Sequence, residues 1–358
     1  MVKKVLIALL IVLALLILLV VGYVAYLFID FHRIEDDQAL TASTAGASAL
    51  PAGVEQSIVT WNVGFGAYSA DYSFFMDGGT ESRAFSKEAC VENVNAVIGK
   101  LRAWKDELML VQEVDFDSTR SYHIDQRQMI ESAFPEYSAV FAQNYDSSYL
   151  FYPVTKPIGA SKSGIVTLSG AQIGDAVRRS LPIEGGINKF FDLDRCYSVS
   201  SIPVDDGKTL KLYNLHLSAY SSDGSIATEQ LALMAQEMAA DYAAGNYVIA
   251  GGDFNKDLWG DSSAYSGVSG VDASWCKPFP AELLPEGFTL VNSLDEENLV
   301  LSSRNTNIPY KRGESFEATL DGFIVSDNVQ VRSCAIVDTA YANTDHNPVR
   351  MRFVLGGA

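Results

Sequence analysis

The chain opens on an uninterrupted apolar run. From Val5 to Ile29 it carries no charge and is dominated by Leu, Val and Ile, longer than the roughly 20 residues a helix needs to cross a bilayer core. Beyond Val54 the pattern changes to short β-branched stretches that finish on polar side chains. These predict strands at Ser57–Asn62, Leu108–Glu113, Gly164–Leu168, Tyr197–Val204, Leu210–Leu217, Tyr247–Asp253, Leu320–Val325 and Val349–Leu355. Helical periodicity falls between some of them, over Ser86–Leu101 and Ser225–Ala243, the latter with Leu231, Met234 and Met238 at helical spacing. Asp205-Asp206-Gly207-Lys208 joins two strand-like runs and carries the Asp-Gly pair of a tight hairpin, so antiparallel neighbours coexist with alternating strands and helices. An α/β architecture, mixed sheets with helices on their outer faces, satisfies both signals. Three aromatic and Gly/Ser-rich connections, Gly64–Arg83, Asn144–Ser163 and Lys256–Pro285, are too long for plain connectors and predict the rims of a site.

Charge orients the first run. Lys3 and Lys4 precede it, while Asp30, Glu35, Asp36 and Asp37 follow it, so the positive-inside rule puts the short N-terminus in the cytoplasm and the remainder outside. A cleaved signal peptide would have an apolar core of roughly 7–15 residues and small residues close behind it. This run is longer and ends on Tyr26, Leu27 and Phe28, which favours an uncleaved transmembrane anchor. The stretch Ala39–Gly53, rich in Ala, Ser, Thr and Gly, offers little apolar surface to bury and predicts a flexible tether. The expected organisation is therefore a stub and membrane helix over 1–29, a linker over 30–53 and one large domain over 54–358.

The formal charge of the whole chain is −18. Lys3 and Lys4 are the only charges up to Ile29, so the rest carries two units more, −20. Such a balance argues against a broad basic groove for long nucleic acid, although a local patch around one phosphate is compatible with it. Cys90, Cys196, Cys276 and Cys334 have no metal-ligand spacing. Outside the membrane they allow up to two bridges in three connectivities, and buried free thiols fit equally well.

Candidate chemistry lies in six short segments that place acids, amides or histidines at strand ends: Thr60-Trp61-Asn62, Gln112-Glu113, Asn214-Leu215-His216, Gly252-Asp253-Phe254-Asn255, Leu320-Asp321-Gly322 and Asp345-His346-Asn347-Pro348. Side chains at the ends of separate strands can converge on one pocket. In order and spacing the six resemble the endonuclease/exonuclease/phosphatase superfamily, from about Val54 to Phe353. Each motif alone is weak; together in this order they are specific.

That resemblance implies a four-layer α/β sandwich of two packed mixed β-sheets flanked by helices, in addition to the N-terminal transmembrane helix. It also implies a metal-dependent hydrolase of phosphate esters. Glu113 becomes the principal metal-binding carboxylate, Asp345 a second ligand, and Asn62 a residue that helps place the metal or Glu113. Hard oxygen ligands suit Mg²⁺ or Mn²⁺. Where some family members carry an acid or amide two residues after the asparagine, this chain has Gly64. Asp253 would orient or deprotonate the attacking water, Asn255 and His216 would stabilise the phosphoryl charge, and Asp321 would hold the imidazole of His346. The resemblance leaves open whether Asp253 or His346 activates the water. Arg195, Arg304, Lys311 and Arg312 are candidate substrate-binding cations.

Expected substrates are phosphate esters, whether nucleic acid, a phospholipid headgroup or an inositol phosphate. A lipid headgroup would gain from tethering at a bilayer, and Tyr145, Tyr149, Phe151 and Tyr152 form an aromatic-rich stretch able either to enter an interface or simply to pack the loop; extracellular nucleic acid fits equally well, through a narrow local patch. The competing reading is a catalytically inactive cell-surface binding module. It would require losses among the metal or phosphate residues, and all the motif positions are filled.

Overall fold

The computed structural model describes the chain except residues 220–224, 263, 265–267, 269–274, 292, 294–298 and 357–358. In chain order the elements are α1 (Val2–Asp30), β1 (Gln38–Leu40), β2 (Glu55–Asn62), α2 (Lys87–Trp104), β3 (Leu108–Asp115), α3 (Gln126–Ala133), β4 (Ser138–Asp146), β5 (Lys162–Ser169), β6 (Ala176–Ser180), β7 (Cys196–Pro203) and β8 (Thr209–His216). Then follow α4 (Ser225–Ala243), β9 (Tyr247–Asp253), β10 (Phe288–Val291), β11 (Ser303–Arg304), β12 (Glu317–Ala318), β13 (Asp321–Ser326), β14 (Val329–Ile336) and β15 (Val349–Leu355). All eight expected strands and both expected helices are among them. Part of the expected 256–285 rim lies outside the described residues.

Two mixed sheets pack face to face. One runs β1-β6-β7-β8-β9-β13-β10, the other β14-β15-β2-β3-β5-β4, and β11 pairs with β12 alone. The only parallel pairs among the named strands are β2 with β3 and β8 with β9. The Asp-Gly turn does join antiparallel β7 and β8. Ile58, Leu110, Leu212, Ile249, Phe323 and Met351 fill the layer between the sheets. On the outer faces, Val94, Val97 and Leu101 of α2 cover Val59, Trp61 and Met109, while Leu231, Met234 and Met238 of α4 cover Leu215, Val248 and Ala250. The result is helix, sheet, sheet, helix, and both faces of each central strand are apolar because both are buried. Ser86 caps α2 by accepting from the Ala89 N–H at 3.1 Å, and Lys105, in the left-handed conformation, ends it.

The segment expected to be a flexible tether is instead laid on the domain. Gln38–Leu40 adds an antiparallel edge strand to β6, Ala47 bridges Ala171, and Leu50 bridges Val204 and is buried in the inter-sheet core. Its low apolar content misleads because one anchor, Leu50, together with backbone pairing to exposed sheet edges, orders it. Upstream, Arg33 pairs with Asp194, and Arg178 donates to the carbonyls of Ile34 and Glu35. The helix α1 is long and apolar enough to cross a membrane, and Leu27 is its only buried residue. All four cysteines are free thiols.

Candidate active site

Strand alternation delivers the site. In β9 the phase that faces the inter-sheet core is Tyr247, Ile249, Gly251 and then Asp253; in β8 it is Leu210, Leu212, Asn214 and His216; in β13 it is Val325, Phe323 and Asp321. From the opposite sheet come Ile58, Thr60 and Asn62 on β2, and Leu108, Leu110 and Gln112 on β3. Each series is apolar in the middle of the sandwich and turns polar at the same edge. A register pairing of Asp321 with Asp253, and of His216 with Asp253, sets three of these side chains level. Buried polar groups need partners, and Gln112 obtains them by donating to Thr60 Oγ1 at 3.1 Å and Asn214 Oδ1 at 2.8 Å.

Glu113 leaves this alternation. A register shift between Val111 and Val114 and a positive φ of 55° at Glu113 form a bulge that aims its carboxylate into the cleft. The Asn62 amide donates to Glu113 Oε1 and to Asp253 Oδ2, both at 3.0 Å, while its own oxygen accepts from the Gly64 N–H at 3.0 Å. Asn62 thus holds two carboxylates, and its oxygen is already engaged by the backbone. Gly64 has φ of 51°, and a Cβ there would lie 2.4 Å from Tyr68 and 2.9 Å from the Asp345 carboxylate, so an acid at this position has no room. At Gly252 (φ 153°) a Cβ would lie 2.0 Å from the Leu215 carbonyl, so glycine here lets β9 approach β8 closely.

Asp321 accepts from His346 Nδ1 at 2.7 Å and from Ser302 Oγ at 2.7 Å, and the Ser302 oxygen in turn accepts from the Leu320 and Asp321 N–H groups. The other imidazole nitrogen, Nε2, lies 3.7 Å from Asp253 Oδ2. His216 Nε2 also stands 3.7 Å from that oxygen, and 3.9 Å from Glu113 Oε1. The remaining Asp253 oxygen accepts from the Asn255 N–H at 2.9 Å. Asn255 itself (φ 48°) donates one amide hydrogen to the Leu217 carbonyl at 2.8 Å, which leaves one for a ligand.

Burial and charge drive the two histidines apart. Burial alone would lower the His346 imidazole, but Asp321 and then Asp253 outweigh it and raise it well above its ordinary value. His216 is pushed well below its ordinary value by burial, with Arg195 and His346 adding to the effect. Burial and the neighbouring Asp321 raise the Asp253 carboxyl against the pull of His346. Burial raises Asp345 as well, opposed by His346 and reinforced by Glu113. A site that holds one imidazole charged and the other neutral has separate groups for separate proton roles.

The donor set fits a hard divalent cation. Glu113 and Asp345 both line a cleft of about 370 Å³, and their mutual repulsion is what a cation would relieve. Among the described residues, Asp253, Asp321 and His346 form a trio whose potential ligand atoms lie within 4.8 Å of one another. That closeness is explained by the Asp321–His346 hydrogen bond, which occupies Nδ1 and leaves Glu113 and Asp345 as the more open acids.

The same cleft is lined by Arg195, Arg304, His216, Asp253, Asn255 and His346. Arg195 is buried, bonded to Asp192 through Nε and Nη2, and among the described residues its Nη1 has no partner. Arg304 donates to the carbonyls of Ser69 and Tyr72, stapling the 64–83 rim. Lys311 and Arg312 do not join them. They sit exposed in surface pairs with Glu314 and Asp338, apart from the residues that line the cleft. Tyr68, Tyr145 and Arg120 line the cleft without having been singled out as ligands by motif. Tyr68 and Tyr145 fall within expected rims, whereas Arg120, locked to Asp115 by two hydrogen bonds, had no signal.

Two mixed sheets whose core-facing strand phases all end in acids, amides and histidines at one edge have the endonuclease/exonuclease/phosphatase fold, as the order of the six segments implied. No family model and no curated protein matches the sequence. Solved structures match its fold. An endonuclease/exonuclease/phosphatase from Beutenbergia cavernae aligns with TM-score 0.56 and 15% identity over 85% of this chain and 72% of that one. TDP2 from Caenorhabditis elegans aligns with TM-score 0.51 and 13% identity, over 85% and 75%. ANGEL2, described as a 2′,3′-cyclic phosphatase and solved with adenosine-2′,3′-vanadate, aligns with TM-score 0.56 and 13% identity, over 88% and 98%. At these identities the likeness is one of fold.

Proposed function

We propose that this chain is a divalent-metal-dependent hydrolase of phosphate esters, anchored in a membrane by α1 with its domain outside the cytoplasm. The observation that carries the reading is the position of Asp253 Oδ2, 3.7 Å from Nε2 of both imidazoles and 3.0 Å from the Asn62 amide, at the floor of a cleft flanked by Glu113 and Asp345. A space bounded by a carboxylate, a charged and a neutral imidazole, and two further acids suits a water molecule attacking phosphorus.

Glu113 and Asp345 would hold Mg²⁺ or Mn²⁺, which when bound supplies positive charge to the phosphoryl oxygens. Asp253, raised by burial, takes one proton from the water. The water oxygen bonds to phosphorus, the bond from phosphorus to the leaving oxygen breaks in line, and that oxygen takes up a proton from solvent. His346, kept protonated by Asp321, donates from Nε2 to a phosphoryl oxygen, and neutral His216 and the free Asn255 amide hydrogen donate beside it. Arg195, which lines the cleft, would supply a guanidinium for another anionic oxygen of the substrate. Hydrolysis of bis(p-nitrophenyl) phosphate by the full chain, with Mn²⁺ or Mg²⁺ and then with excess chelator, tests the reading. Turnover should require the metal; an inert protein under both conditions would favour a binding module on the same fold.

A further inference from the structure

The end of α1 and the wall of the cleft belong to one hydrophobic cluster. Leu27 of α1 is buried among Phe65, Tyr68, Phe74, Ile158 and Phe190, of which Tyr68, Phe74 and Ile158 also line the cleft. Two loops grip the same end of the helix. Tyr23 O–H donates to the Tyr149 carbonyl at 3.2 Å, the Tyr149 N–H donates to the Tyr26 hydroxyl at 2.9 Å, and the Tyr23 ring meets Phe151 edge-on at 5.3 Å. From the 187–191 loop, Phe190 meets Phe28 at 4.9 Å and Phe31 at 5.4 Å, with the Lys189 ammonium over all three rings.

Beside these contacts, apolar side chains stand in the open: Tyr152 is 67% exposed, Val154 84% and Ile187 66%, with Phe151 and Phe191 exposed next to them. Phe191 lines the cleft mouth. Helix length sets their height. At 1.5 Å per residue α1 is about 43 Å long, against a hydrocarbon core of about 30 Å. Lys3 and Lys4 hold its other end at the headgroups, so the core takes up roughly residues 5–24 and the last turn and a half, to Asp30, emerges at the domain side with Tyr23 at the boundary. The aromatic loops gripping those turns therefore lie at headgroup level, where Tyr and Phe partition well.

We propose that loops 149–154 and 187–191 seat in the headgroup layer beside α1, so that the cleft opens onto the lipid surface and takes a phosphodiester carried by a membrane lipid. This rests on the hydrolase reading above and names its substrate class. The net −20 of the chain beyond Ile29 repels a polyanion such as nucleic acid, while an apolar lip has no such barrier to lipid.

The test uses the full chain in proteoliposomes of phosphatidylcholine, phosphatidylglycerol, phosphatidylinositol and sphingomyelin, with lipid products followed by mass spectrometry and bis(p-nitrophenyl) phosphate as the soluble ester. The variant Y152S/V154S/I187S alters only exposed residues outside the cleft. It should keep soluble-ester turnover within about twofold while lipid hydrolysis falls at least about tenfold, the magnitude of 1.4 kcal/mol in one rate. Independently of activity, Val154→Trp should add fluorescence that brominated phosphatidylcholine quenches. Soluble-ester turnover with no lipid product, lipid hydrolysis unchanged in the triple variant, or no added quenching would each overturn the inference and leave the hydrolase reading standing. Failure on both substrates with metal present would overturn the hydrolase reading itself.

Discussion

Asp321 is fully buried and its Oδ2 accepts two hydrogen bonds of 2.7 Å, from His346 Nδ1 and Ser302 Oγ, while Oδ1 has no partner among the described residues. Asp321→Asn keeps the shape and removes the charge. If the amide oxygen takes the place of Oδ2, the amide nitrogen falls where Oδ1 finds no partner, and a buried unsatisfied donor costs about 1–3 kcal/mol. The protein should fold with a modestly lower Tm. The imidazole loses more, because Asp321 is the leading charge that overcomes burial and keeps it protonated. A raised folded pKa means that the stabilisation is complete below the ordinary value of about 6.5 and is lost as pH climbs through the raised value. Without Asp321 that loss moves to lower pH, so the alkaline limb of the activity profile should shift acidward. Turnover of bis(p-nitrophenyl) phosphate should fall by roughly 10²–10⁴, about 2.7–5.5 kcal/mol of barrier. His346→Ala should fall similarly, and the double variant little further, because both changes disable one unit. The comparison is made on kcat/KM with circular dichroism melts alongside. Multiplicative losses in the double variant, or an unmoved alkaline limb, would refute the dyad.

Glu113→Gln should weaken Mn²⁺ dependence severely with little change in Tm, since this side chain is partly exposed and bonded to one partner, Asn62; metal titration of activity checks it. Arg195→Met should raise KM for a phosphodiester, whereas Lys311→Ala and Arg312→Ala, lying in surface pairs, should leave kcat/KM within about twofold. Removing residues 1–22, all exposed, should leave soluble-ester turnover intact, but removing 1–53 should lower Tm, because Leu27 and Leu50 are buried in core clusters and Gln38–Leu40 is sheet; Leu50→Ala alone should cost about 2–5 kcal/mol in denaturant unfolding.

The local pattern of the sequence was enough to place the eight central strands, the two long helices, the β7–β8 hairpin and the apolar α1, because burial on both faces leaves continuous β-branched runs and one-sided packing leaves helical spacing. It also marked the polar ends of β2, β3, β8, β9 and β13, since a core-facing phase that turns from Ile or Phe to Asp, Asn or His is visible along one strand. Edge elements escaped it. β1 and β14 bury little, and the 39–53 segment is ordered mainly by backbone pairing to strands far away in the chain, which no composition reports. Only the tertiary structure decided which cations meet the cleft: Arg195 and Lys311 look alike as sequence, but one is buried behind Asp192 facing the acids and the other stands in solvent beside Glu314. The same holds for Glu113, aimed by a bulge, and for the opposite shifts of His216 and His346. Those depend on which charges lie within a few ångströms, and that distance is set by the packing of two sheets rather than by position along the chain.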